Sequence, residues 1–132
     1  MADILEKSTG RRTTDLTVST TTETIAATSD PVTPPRAGVR AFIRAYVIMT
    51  AGTGTTAITA AIRAGTLVTG TLVSEQHAVS ATAGDTVLLV VMGEQVLGDV
   101  GQAQYNVTVD QTGASADGTV LEAGIEVELL AG

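Results

Sequence analysis

From Gly38 onward the chain is written largely in alternation. Val39, Ala41, Ile43, Ala45, Val47 and Met49 fall on one side of a period-two pattern, and Arg40, Phe42, Arg44, Tyr46 and Ile48 fall on the other. That period marks a β-strand with one face in a core. It returns at 56–64, where Ile58, Ala60 and Ile62 oppose Thr59, Ala61 and Arg63. It is clearest at 102–110, where Ala103, Tyr105, Val107 and Val109 alternate with Gln102, Gln104, Asn106, Thr108 and Asp110. The last segment sets Leu121, Ala123, Ile125, Val127 and Leu129 inward and Glu122, Glu126 and Glu128 toward water. Thr86–Met92 (TVLLVVM) is apolar on both faces, which predicts a central strand followed by a loop over GEQVLGDVG. His77–Thr82 is a weaker strand. Seven to eight short strands with glycine-bearing turns between them predict an all-β fold, an antiparallel β-sandwich or jelly roll. Ile43, Val47, Ile58, Ile62, Leu89, Val107, Ile125 and Val127 are its expected core.

Residues 1–37 are different: polar, rich in Thr and Ser, and ended by the extended SDPVTPPRAG with Pro31, Pro34 and Pro35. They read as an extended N-terminal arm with one or two edge strands at Asp15–Thr20 and Thr24–Ala27, ahead of a sandwich domain at 38–132. A polar terminus of this kind is ordered only when its own sheet or a neighbouring subunit holds it. The arm is therefore expected to serve attachment more than the fold.

Composition sharpens the picture. At 132 residues the chain is long enough for one domain, and 44% hydrophobic content excludes wholesale disorder. Aromatics are 2%, namely Phe42, Tyr46 and Tyr105, so the core must be aliphatic. The absence of cysteine removes disulfides, thiolate nucleophiles and thiolate metal sites. The first residues carry no apolar run of leader length, and no stretch approaches a membrane-spanning helix. Folding in the cytoplasm, without a membrane partner, is the expectation.

Charge is segregated along the chain. All seven basic residues lie within the first 63 positions beside five acids, and the nine remaining acids follow without a counter-charge, for a net −7. Phosphates would meet repulsion over half the molecule, so nucleic acid is not expected as a partner. Protein–protein assembly suits the asymmetry, with Arg11, Arg12, Arg36, Arg40, Phe42, Arg44 and Tyr46 as candidate partner contacts. Arg40, Phe42, Arg44 and Tyr46 also interleave as a single-strand nucleic-acid platform would, but the overall acidity favours a protein-facing surface.

Candidate chemistry is thin. Gly52-Thr53-Gly54-Thr55-Thr56-Ala57 has the GxGxxA form of a dinucleotide loop, with Glu75 at about the expected distance of roughly twenty residues. Such a loop must open a helix; here abundant Thr and an early Gly65 favour a hairpin turn. His77 is the single histidine and lacks partners for a metal set or a triad. Glu126 and Glu128, spaced i, i+2 on a strand, fit a solvated face. Asp110 and Asp117 flank a glycine loop without EF-hand spacing, so calcium is not assigned. No catalytic residue, metal or cofactor is expected.

The stretches TAGTGTTAITAAIRAGTLVTGTLVSE and QYNVTVDQTGASADGTV, with the polar arm and the missing cysteines, resemble the small β-sandwich virion proteins of tailed bacteriophages. The resemblance spans residues 38–132 and lies in sequence style, so it transfers no functional residue. It implies a capsid decoration (cement) protein located on the virion. Its partners would be the major capsid protein or other virion subunits, and it would be a homo-oligomer, with a trimer favoured. A receptor- or carbohydrate-binding module of a tail or fibre is the alternative it leaves open.

Overall fold

The computed structural model describes residues 4–20 and 22–131. Every regular element among them is a strand: β1 (Ile4–Arg12), β2 (Leu16–Val18), β3 (Thr24–Thr28), β4 (Arg40–Thr50), β5 (Ala57–Ala64), β6 (His77–Ser80), β7 (Thr86–Val96), β8 (Tyr105–Thr112) and β9 (Gly118–Leu130). They form two antiparallel sheets. The first has the order β1-β9-β4-β7, with β2 also on β9, and the second has the order β3-β8-β5-β6. Most connections cross from one sheet to the other, which is the habit of a β-sandwich of jelly-roll type. β1 and β2 pair with successive parts of β9, so they act as one interrupted edge.

Alternation drives this packing. The inward residues of β4 are fully buried or nearly so, while Arg40 and Arg44 are exposed. All eight expected core residues are buried, joined by Met49, Leu129 and the ring of Tyr105. Each buried aliphatic side chain contributes about 1.5–3 kcal/mol by leaving water.

The N-terminal segment supplies edges to both sheets. β1 and β2 pair with β9, β3 pairs with β8, and Val18, Ala26 and Ala27 lie within the core. Gly10 is what permits β1 to pass so near β3, since a Cβ there would sit 1.9 Å from the Thr28 carbonyl oxygen.

Four local expectations are corrected. β7 is an edge strand, not a central one, and its outward Leu88, Val90 and Met92 are exposed. It also continues through Gly93–Val96, expected as loop, because those residues pair with Arg40–Ile43. Leu121 does not face the core. The pairing of β4 with β9 jumps from Ile48↔Glu122 to Met49↔Val120, so Leu121 is the extra residue of a bulge and the alternation inverts there. Val120 is buried in its place. Finally, the GTGTTA segment is a turn but not a hairpin, because it leads from β4 in one sheet to β5 in the other. The strand Ala57–Ala64 stands where a dinucleotide site would need a helix.

Candidate interaction face

The outward side of the first sheet collects five of the seven candidate contact residues: Arg11 from β1 and Arg40, Phe42, Arg44 and Tyr46 from β4. Arg12 and Arg36 are elsewhere. Arg12 turns to donate from Nε to the Ala26 carbonyl at 3.0 Å, tying β1 to β3. Arg36 is exposed in the turn before β4.

Topology cancels the charge segregation of the sequence on this face. β9, which carries only acids, lies between β1 and β4, which carry the bases. Lys7 Nζ lies 3.3 Å from Glu126, Arg11 pairs with Glu122 at 3.3 Å, and Arg44 reaches Glu128 at 2.9 Å and also Glu126. Arg40 donates to Glu94 of β7 at 2.6 Å. Four cations thus meet four carboxylates, and Glu75 lies at the margin beside Phe42 and Met92. The hydrogen bond from Arg44 holds the Glu126 carboxyl below its usual range, and those from Tyr46 and Arg11 do the same for Glu122.

Tyr46 lies flat across β9. A Cβ on Gly124 would come within 2.5 Å of its ring, so any side chain there would push the ring aside. The hydroxyl thereby reaches Glu122 at 2.5 Å. The Arg44 guanidinium sits 6.0 Å from the centroid of the Phe42 ring, at the outer limit of a cation–π contact.

Beside this ladder runs an apolar stripe. Across β4, Tyr46 faces Val90 and Ile48 faces Leu88. Leu88, Val90, Met92 and Val96 are exposed at 58, 51, 60 and 63%. The double-sided apolarity of TVLLVVM marked Leu88, Val90 and Met92 but placed them inside a central strand, and Val96 was expected in the loop that follows.

The outer side of the second sheet is built differently. The polar residues of β8 are covered rather than solvated. Asn106 donates to the Gly65 carbonyl at 2.9 Å, and Thr108 donates to Glu23, which holds Arg63 at 2.9 and 3.0 Å. Burial pushes the Glu23 carboxyl up, but the bonds from Arg63 and Thr108 outweigh it and hold the group low. Burial and the neighbouring Glu23 raise Asp110. Asp117 is exposed beyond the end of β8.

The GTGTTA turn is likewise occupied by its own fold. Gln111 Oε1 accepts from Gly52 N at 3.1 Å and from Thr55 Oγ1 at 2.9 Å, while its Nε2 donates to Val18 and Ala116 carbonyls, each at 3.2 Å. A Cβ on Gly52 would lie 2.1 Å from the Ala116 oxygen, so this glycine serves a close approach of backbone to backbone. His77 rests its Nδ1 2.9 Å from the Val90 carbonyl oxygen, against the edge of β7.

No protein-family model matches the chain, and no curated protein sequence does. Among solved structures it is similar to Eiger, a TNF from S. frugiperda, with 11% identity over 98% of this chain and 94% of that one and a TM-score of 0.61. It is similar to a chain of infectious bursal disease virus, Gx strain, with 13% identity over 98% of this chain and 34% of that one and a TM-score of 0.51. A Bacillus endospore appendage protein of disulfide-linked pili matches at 20% identity, over 100% of this chain and 92% of that one, with a TM-score of 0.44. At such identities the first two likenesses concern the fold alone, and the third is too distant to add to it.

Proposed function

We propose that this chain is a non-enzymatic virion structural protein that decorates the head of a tailed phage and is assembled in the host cytoplasm. Its partners in this reading are the major capsid protein or other virion subunits, together with further copies of itself. The observation that carries it is the outer face of the first sheet, where an apolar stripe borders cations and carboxylates already matched within the chain. Such a surface gains by being covered and offers little to a polyanion or an anionic membrane. A decoration protein acts by burying surface across subunit boundaries, where many modest contacts add up.

The alternative is a receptor- or carbohydrate-binding module of a tail or fibre. It would need Phe42 and Tyr46 free to stack on a sugar ring. Tyr46 is laid against Gly124 and held by Glu122, and Arg44 stands over Phe42, which leaves less aromatic surface for that purpose.

The test is addition of the purified protein to phage heads stripped of decoration. Co-sedimentation and restored resistance to heat or osmotic shock are expected. Absence of head binding, combined with binding to host cells or glycans, would replace this reading with the alternative.

A further inference from the structure

We propose that the outer face of the first sheet, with Leu88, Val90 and Met92 along its β7 side, is covered by a second copy of this chain. The inference rests on the decoration reading only in treating this face as a contact surface.

Charge selects the partner. A chain of net −7 repels its own copies unless they meet where charge cancels. On this face Lys7, Arg11, Arg40 and Arg44 are each matched by Glu126, Glu122, Glu94 or Glu128 of the same chain. Among the described residues a strongly charged foreign partner would find little free counter-charge here, the exposed Glu75 beside Phe42 and Met92 standing at its margin. A copy of the same face brings its own matched pairs and leaves all four of these cations matched at contact.

Size and shape agree. Strands about 4.8 Å apart, rising about 3.3 Å per residue, give four strands of eleven residues a face of roughly 700 Å². A stable interface of standard size takes about 800 Å² from each partner. Leu88, Val90 and Met92 stand side by side on one strand face, with Val96 beyond Glu94 on the same face, whereas Leu67, Leu72 and Val100 lie outside the strands.

The contact is face to face rather than a continuation of the sheet. The free edge of β7 is partly closed: Glu94 N–H donates to the Val73 carbonyl at 3.2 Å, and His77 sits 2.9 Å from the Val90 oxygen. A partner strand could not add along that edge without displacing both.

Sedimentation of the full chain over a wide concentration range tests this. The wild type should form a dimer, since a face that meets its own copy is satisfied by two chains; Val90→Glu/Met92→Glu should sediment as a folded monomer, and Leu67→Glu/Val100→Glu should behave as wild type. Because the chain has no cysteine, a single introduced thiol reports independently should the charged variant fail to fold. Met92→Cys should be alkylated several-fold more slowly than Leu67→Cys at high concentration and equally fast on dilution. A wild type that stays monomeric, a Val90→Glu/Met92→Glu variant that stays assembled, or equal alkylation at high concentration overturns the proposal. Head binding by a monomer would sink this inference alone; an oligomer through this face that ignores heads would sink the decoration reading alone.

Discussion

The Tyr46 hydroxyl donates to Glu122 at 2.5 Å because Gly124, on the strand between β4 and the edge, leaves the ring room to lie flat. The contact joins β4 to β9 on the face argued to be covered, and it makes a glycine a packing residue. Gly124→Ala should force the ring away and cost about 1–3 kcal/mol, as overpacking does. Adding Tyr46→Ala should recover part of that loss in denaturant unfolding. Strict additivity of the two substitutions would show that the ring does not rest on Gly124.

Alkaline titration separates the two tyrosines of this chain. Burial pushes Tyr105 up to about 12, and its hydroxyl donates to Gln95 at 2.7 Å. Tyr46 is raised first by its bond to Glu122. A proton held more tightly in the folded state stabilises it fully below the ordinary value of 10.0, and that stability is lost as pH rises toward 12. Ultraviolet titration of Glu122→Gln should show one tyrosine moved toward the ordinary value and the other still late. Two tyrosines that titrate as in the wild type would detach Tyr46 from Glu122.

Acid should loosen the same face. Glu126 is held low first by Arg44, with Lys7 also bonded and Glu128 beside it; Glu122 is held low first by Tyr46 and then by Arg11. Depressed carboxyls contribute stability that is present above the ordinary 4.5 and lost as pH falls through their folded values. Protonation of Glu122 and Glu126 would remove carboxylates that Lys7, Arg11 and Arg44 pair with on the contact surface. Melting temperature and sedimentation should therefore both fall in this window, and Arg44→Gln should show a shallower acid decline in melting temperature than wild type. An equal slope for the two proteins would show that the Arg44–Glu126 pair contributes nothing to the acid response.

Leu121 and Leu129 make a matched pair on one strand. Leu129 is fully buried and Leu121 is 38% exposed at the bulge. Leu129→Ala should cost about 2–5 kcal/mol. Leu121→Ala should cost much less, within about 0.5–1 kcal/mol. Equal losses in urea unfolding would return Leu121 to the core and erase the bulge.

Removal of residues 1–30 would delete β1, β2 and β3, strip both sheets of an edge and expose the strand edges of β9 and β8. The truncated chain should lose cooperative unfolding. A sharp transition retained after truncation would show that this segment serves attachment more than the fold, as its polar sequence suggests.

Much of this was legible in the chain alone. Period-two apolarity marked β4, β5, β8 and β9, and it named the core residues Ile43, Val47, Ile58, Ile62, Leu89, Val107, Ile125 and Val127 correctly, because side-chain direction in a strand is local geometry. The all-β class followed from the same pattern. Position within a sheet is not local. β8, with its polar alternate residues, reads as half-solvated yet lies inside the second sheet under Glu23 and the Gly65 turn. β7, apolar on both sides, reads as central yet stands at an edge.

The sequence by its own pattern therefore decided which residues turn inward from each strand and which residue types were at hand for chemistry. Only the tertiary structure decided which strands became neighbours, and with that the character of the candidate face. Along the chain, bases confined to the first half and acids abundant in the rest describe a dipole. Folding inserts β9 between β1 and β4 and turns part of that dipole into a matched ladder, leaving the stripe of Leu88, Val90 and Met92 uncovered beside it. Pairing between distant strands obeys hydrogen bonding and burial summed over the whole molecule, a quantity that no window of sequence contains.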